Sequence, residues 1–284
     1  MRTIAEAEDV ASAFERRAGR AELLAAAGGP ASAPLAFARG LYRAQAALAA
    51  AVSDAHSARP LAGAPDADMD RVIDPARDVL RFVASVGPSS LAAQARTRLD
   101  DAPSLVARLA AFWSAPDRVF ASPSRESPAP PAAPPHDYLS RAVLRPYVEV
   151  LARLGLRPLR AAADRACPFC AGPAWIASRR AAPDADGAER RLGCALCATE
   201  WVVRRSTCAA CPEEDPAKLP SFRSERHPAV RVEACESCRR YVKSIDLTID
   251  ARAIPEVDDL LSVAMDLWAA EQGFMRLEPG LAGV

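Results

Sequence analysis

The chain has 284 residues, half of them hydrophobic but only 6% aromatic, and its 36 basic and 36 acidic side chains cancel to a formal charge of +0. That length leaves room for more than one domain, and the Ala-dominated apolar content suits helix-on-helix packing. Balanced charge excludes a global electrostatic attraction to nucleic acid or membrane. Met1 to Glu6 show no apolar stretch behind a basic one, and the Ala-rich runs are broken by Arg, Asp or Pro well short of the ~20 apolar residues of a membrane span. A cytoplasmic, reducing setting is therefore expected.

Thr3 and Glu6 have the spacing of a capping box and predict a first helix from there to about Ala27, ended by Gly28-Gly29-Pro30. A second helix is predicted near Ser32, with Pro34 in its first turn and Phe37, Leu41, Ala44, Leu48 and Val52 on one buried face. Similar stripes run through Val72, Val79, Phe82, Val83 and Val86, and through Leu105, Leu109, Phe112 and Trp113. Six prolines between Ser122 and Pro135 predict a surface loop, since that composition cannot bury a core. Helical spacing resumes at Tyr138, Val143, Tyr147, Val150, Leu151 and Leu154 and stops at Arg157-Pro158. Residues 1–160 thus read as an all-α domain.

Short β-type runs, Trp175-Ile176-Ala177 and Trp201-Val202-Val203, then appear among the cysteines. A last helix is predicted over 254–275, with Pro255 in its first turn and Val257, Leu261, Ala264 and Trp268 facing the rest of the protein. The simplest reading of Asp258, Asp259 and Asp266 is a helix N-terminus and a solvated face, with a partner contact as the alternative.

All eight cysteines fall in Cys-x-x-Cys pairs: Cys167/Cys170, Cys194/Cys197, Cys208/Cys211 and Cys235/Cys238. The spacing between the first and second pairs recurs between the third and fourth, so one unit occurs twice. Two such knuckles present four sulfurs to one tetrahedral ion, Zn²⁺ or a single Fe. Sequential pairing gives one site from Cys167, Cys170, Cys194 and Cys197 and another from Cys208, Cys211, Cys235 and Cys238. A cross-brace keeps the same spacings and stays open. Disulfides need an oxidising compartment and a thioredoxin-like centre needs one pair at a strand-to-helix junction, while an Fe–S cluster, whose usual spacings differ, is not excluded by these pairs. The histidines, His56, His136 and His227, stand at no triad or ligand spacing to a cysteine, so no enzyme is indicated. Each M²⁺ bound to four thiolates contributes −2, and two sites cancel the basic excess of the cysteine region. A nucleic-acid partner then lacks a driving patch.

The words around the pairs carry a resemblance. Cys167-Pro-Phe-Cys170, then Cys194-Ala-Leu-Cys197-Ala-Thr199-Glu200-Trp201 with Arg205, then Cys235-Glu-Ser-Cys238-Arg-Arg-Tyr241-Val-Lys243 and Asp258-Asp259-Leu260, resemble the FdhE family of formate dehydrogenase accessory proteins over residues 164–276. The resemblance implies an α+β protein: an all-α domain over 1–160, two tandem rubredoxin-like or zinc-ribbon-like metal modules over 164–204 and 205–246, and the helix of 254–275 packing back. It implies a non-enzymatic, cytoplasmic assembly factor that binds the catalytic subunit of formate dehydrogenase and is needed for its activity. The eight cysteines carry over as ligands, with iron favoured and zinc the alternative. Thr199, Glu200, Trp201, Arg205, Tyr241, Lys243, Asp258 and Asp259 carry over as motif positions expected at the partner surface, Trp201 alternatively as a plug over the first site. A tandem zinc ribbon that binds nucleic acid and a rubredoxin-like electron carrier are the competing functions.

Rubredoxin-type knuckles favour Gly directly after the second Cys, where positive φ lets amides reach sulfur. Here those positions are Ala171, Ala198, Pro212 and Arg239. Pro212 has no N–H, so the second site is expected to be the more labile or the more oxidising.

Overall fold

Asp9 caps the first helix, α1 (Val10–Ala26): its backbone is extended and its carboxylate accepts the Ser12 amide at 2.8 Å. The computed structural model describes residues 9–100, 102–114, 137–158, 165–182 and 187–283, with the side chains of 102–104 excepted. The capping box at Thr3 and Glu6, the loop of 122–135 and residue 164 lie outside this range. Within the described residues the first helix starts at Val10, capped by Asp9.

The first unit contains α1, α2 (Ser32–Ala58), α3 (Pro65–Asp68) with a 3₁₀ turn over Met69–Val72, α4 (Ile73–Val86), α5 (Ser89–Asp100), α6 (Ala102–Ser114) and α7 (Tyr138–Leu154). Leu41, Leu48, Val52, Val79, Val83, Leu105, Leu109, Val143, Tyr147 and Leu151 are buried as the periodicity requires. Val86 and Leu154 are not, being 57% and 41% exposed. Each is the last residue of its helix, next to Gly87 or Gly155, where no neighbouring turn remains to cover it. Buried polar groups tie the layers together. Glu149 accepts from Arg17 at 2.9 Å and from Arg145 at 2.7 Å, and Asp68 accepts from Tyr147 at 2.6 Å and from the amides of Ala62 and Gly63.

The second unit is built on one seven-stranded sheet. Strands β1 (Ala174–Ala181), β2 (Ala188–Cys194) and β3 (Glu200–Val203) form an antiparallel meander. Strands β4 (Ser221–Ser224), β5 (His227–Ala234) and β6 (Arg240–Asp246) form another. The sequence repeat is visible in these two halves. They are not separate bodies, because β1 pairs with β6 in parallel, Ile176 to Lys243 through Arg179 to Asp246, and the sheet runs β3-β2-β1-β6-β5-β4. A two-residue β7 (Met275–Arg276) adds to the free part of β6.

The single helix expected over 254–275 is instead α8 (Pro255–Asp258), a 3₁₀ turn over Asp259–Ser262 and α9 (Val263–Glu271), ended by Gly273. The break has a visible cause. The carbonyls of Asp259 and Ser262 turn to the ammonium of Lys243, at 2.9 and 3.3 Å. The shift in phase moves the buried face, so Leu261 and Ala264 are exposed while Val257, Leu260, Met265 and Ala269 are covered. Met265, Ala269, Trp268 and Phe274 pack onto Val230, Val232 and Tyr241 of the sheet.

Candidate metal centres and the buried charge network

Each cysteine pair sits in a knuckle with the same backbone closure. The amide of the first Cys donates to the carbonyl five residues on: Cys167 to Gly172, Cys194 to Thr199, Cys208 to Glu213 and Cys235 to Arg240, all at 2.9–3.0 Å. Three of the residues after the second Cys adopt the left-handed conformation without being glycine: Ala171 and Ala198 at φ 54° and Arg239 at φ 56°. That conformation is costly for a residue with a Cβ, and closure of the knuckle supplies the compensation. Arg239 gains further support, donating to the Gln272 carbonyl at 2.6 Å with its guanidinium 3.9 Å from the Phe274 ring centre. Pro212 occupies the fourth such position.

The knuckles combine sequentially. Cys167, Cys170, Cys194 and Cys197 form one cluster, and Cys208, Cys211, Cys235 and Cys238 the other, with all eight side chains buried. Closest sulfur pairs are 3.5 Å apart in the first cluster, and 3.6 and 3.7 Å in the second. A disulfide needs about 2.05 Å. Four thiolates around one ion at about 2.3 Å stand about 3.8 Å apart, so both clusters fit a tetrahedral, soft divalent ion, and sequential pairing replaces the cross-brace. As bare thiols the sulfurs compete for protons. The Cys238 thiol and nearby amides pull Cys208 down to about 5, while burial pushes Cys211 up to about 11. Four close donors with such divided proton affinity are the environment a cation relieves.

The clusters differ in detail. The hydroxyl of Thr199 lies 3.1 Å from Cys197 Sγ, whereas the matching position of the second knuckle pair is Arg240. Gly172 packs against the first cluster so closely that a Cβ there would lie 3.0 Å from Cys194 Sγ and 3.1 Å from Cys170 Sγ.

The other motif residues divide into two groups. Glu200, Trp201 and the adjoining Thr199 lie partly exposed along β3, an edge of the sheet, and Arg205 is exposed beyond it. Arg180 donates to both Glu200 oxygens at 3.0 Å. Trp201 stands opposite Leu192 and packs with Val203 on a cluster that includes Ala177, Val242 and Leu277, so its ring belongs to one face of the sheet.

Tyr241, Lys243 and Asp259 face inward on the other side. Lys243, fully buried, lies 2.5 Å from Asp266 Oδ2 and 2.9 Å from Asp259 Oδ1. Arg276 spans the same two carboxylates at 2.9 and 3.0 Å, and the Tyr241 hydroxyl donates to Asp266 at 2.9 Å. Burial alone would raise both carboxyls. At Asp259 the charges of Arg276 and Lys243 overcome it and hold the group below its ordinary value; at Asp266 they do not, and the group stays raised. Asp258 is also buried and accepts the Ile254 amide at 2.8 Å. The solvated-face reading of Asp258, Asp259 and Asp266 is thereby corrected. The cations that neutralise the latter two come from β6 and β7, which no helical periodicity reveals. Tyr241, Lys243, Asp258 and Asp259 are accordingly interior residues. Sequence reasoning passed over Arg276 and Ser262 as network members, although Arg276 lies within the family-like tail.

Residues 202–281 match the model of the family described as FdhE, C-terminal domain. The chain is 35% identical over 117 residues to the FdhE homolog of Aquifex aeolicus, covering 41% of each protein. It is 35% identical over 149 residues to that of Pseudomonas putida, covering 51% of this chain and 46% of the relative. These matches thus span less than half the length of the curated relatives. The fold is similar to the crystal structure of the FdhE protein from Pseudomonas aeruginosa, with a TM-score of 0.65, 26% identity and 95% of both chains covered. Two four-cysteine clusters, the C-terminal domain match and this likeness along nearly the whole chain lead to one conclusion: the chain is similar to FdhE proteins, by sequence over residues 202–281 and by fold along most of its length.

Proposed function

We propose that the protein is a non-enzymatic accessory factor for formate dehydrogenase, which binds the catalytic subunit in the cytoplasm and is required for its activity. The observation that carries this reading is the pair of closed, buried four-cysteine clusters, the second of which lies within residues 202–281, the stretch that matches the FdhE C-terminal domain. A site with four protein thiolates keeps no open position for a substrate, which suits a structural or redox-sensing ion rather than a catalytic one. Each cluster would hold one ion through its own four cysteines, iron by family and zinc otherwise. The ion would cross-link two knuckles at the ends of a meander and so order the sheet.

The partner surface in this reading is the β3 edge with Thr199, Glu200 and Trp201, bounded by Arg205. Val202 on that strand is 56% exposed, an apolar position on an edge able to accept another chain. Tyr241, Lys243, Asp258 and Asp259 support that surface from within. The test is formate dehydrogenase activity in cells whose own accessory protein is replaced by the C194S/C197S variant. Activity falls to the level of a deletion if the reading is right. Full activity with a folded variant contradicts it.

A further inference from the structure

A cleft of about 600 Å³, including its open mouth, lies on the sheet face opposite the Lys243 network, beside the second cysteine cluster. Among the described residues, five arginines line it, Arg179, Arg190, Arg205, Arg231 and Arg240, with one carboxylate, Glu233. Strand register explains the convergence. Arg179 on β1 stands directly opposite Arg190 on β2, and Arg231 on β5 opposite Arg223 on β4, so alternation puts a row of guanidiniums on one face. Like charges paired across strands are destabilising, and such a row is unexpected in a sheet selected only for stability.

The acids nearby are already engaged. Glu233 accepts from Arg190 at 2.7 Å, and Asp246 from Arg231 at 2.7 Å. Two donors stay unused: the Nε atoms of Arg179 and Arg231 are buried without a hydrogen-bond partner, the former 3.8 Å from the Asp246 carboxylate. Burial, with the charges of Arg179 and Arg223, lowers the affinity of Arg231 for its own proton. A buried N–H without an acceptor is costly, and a group of them around a cleft is what a bound oxyanion would satisfy. The lining also includes the apolar Ala209, Ala210, Leu219, Val242 and Leu277.

We infer that this cleft is a binding site for a phosphorylated small molecule, held through a diphosphate or similar multiply charged group. The guanidiniums are opposed by Glu233, which accepts from Arg190, and by Asp246, which accepts from Arg231, so the five arginines still outnumber these two carboxylates and leave a positive excess. A single carboxylate leaves most of that excess uncompensated, whereas a diphosphate offsets it. Planar guanidinium forks also match phosphate oxygens two at a time. The apolar lining residues suit contact with an organic substituent. Arg205, Thr207, Cys208, Ala209 and Ala210 bring the second metal knuckle into the lining, so occupancy of the cleft is coupled to order in that knuckle.

The test uses the full-length, metal-loaded protein with inorganic pyrophosphate as the probe, measured by titration calorimetry. Saturable binding is expected, weakened about tenfold or more by R179Q/R231Q and less by R205Q, and reduced when the second site is stripped of metal. Because Arg179 and Arg231 also face Asp246, metal content and circular dichroism establish that the double variant is folded. R205Q, at an exposed position, gives an independent reading if it is not. Absence of pyrophosphate binding, or equal binding by wild type and R205Q together with the folded double variant, overturns the inference. Binding of a poly-glutamate peptide in place of pyrophosphate does so as well. None of these outcomes bears on formate dehydrogenase activation.

Discussion

Lys243 on β6 and Asp266 on α9 meet at 2.5 Å inside the C-terminal half, with no solvent reaching the ammonium. Around this contact Asp259, Arg276, Tyr241 and Ser262 complete a network that fastens the C-terminal helices to the sheet. An isolated buried charge is far costlier than a paired one, so the network is only as good as its completeness.

Lys243→Met leaves Asp259 and Asp266 sharing one cation, and removes the donor that holds the carbonyls of Asp259 and Ser262. Loss of about 3–5 kcal/mol is expected in chemical denaturation, as for breaking a buried pair from one side. Asp266→Asn keeps an acceptor beside Lys243 and is expected to cost less.

The two metal centres are expected to differ in lability. The second lacks an N–H at Pro212 and has Arg240 where the first has the hydroxyl of Thr199 against Cys197. Under a chelator, metal leaves Cys208, Cys211, Cys235 and Cys238 first. Loss from the first site ahead of the second, followed by single-site variants, would show that the Pro212 argument fails.

Gly172→Ala places a methyl group against two ligand sulfurs of the first site. Overpacking of this kind costs about 1–3 kcal/mol, and here it falls on the metal geometry. Faster metal release from the first site, with the second unaffected, is the expected result in chelator competition.

Asp246 supplies a pH dependence. Burial would raise its carboxyl, but hydrogen bonds from Thr248 and the charges of Arg231 and Arg179 take it below 3.8. The folded state therefore binds that proton less readily than the unfolded chain. Its contribution is fully present above about pH 4 and is lost as pH falls toward the lower folded value. Asp246→Asn should cost about 2 kcal/mol at neutral pH and flatten the acid limb of a pH–stability curve.

The two four-cysteine clusters were legible because such a cluster needs few residues at fixed spacing, and the repeat of that spacing carried the pairing. Helical stripes such as Leu41, Leu48 and Val52 were legible for a similar reason, since periodicity is local. The joining of the two repeats was not. It depends on parallel pairing between Ile176 and Lys243, contacts made across the whole cysteine region. Asp259 and Asp266 look solvated on a helix taken alone, and only their partners on β6 and β7 make them interior residues. The break between α8 and α9 follows from the same partners.

Capture of the tagged full-length protein from its native cells under anaerobic conditions, with metal analysis of the same sample, tests the central claim most directly. The account predicts that the catalytic subunit of a molybdenum- or tungsten-dependent formate dehydrogenase is recovered with protein carrying an ion in each of its two four-cysteine clusters. Recovery of fully metal-loaded protein with no formate dehydrogenase subunit would contradict it.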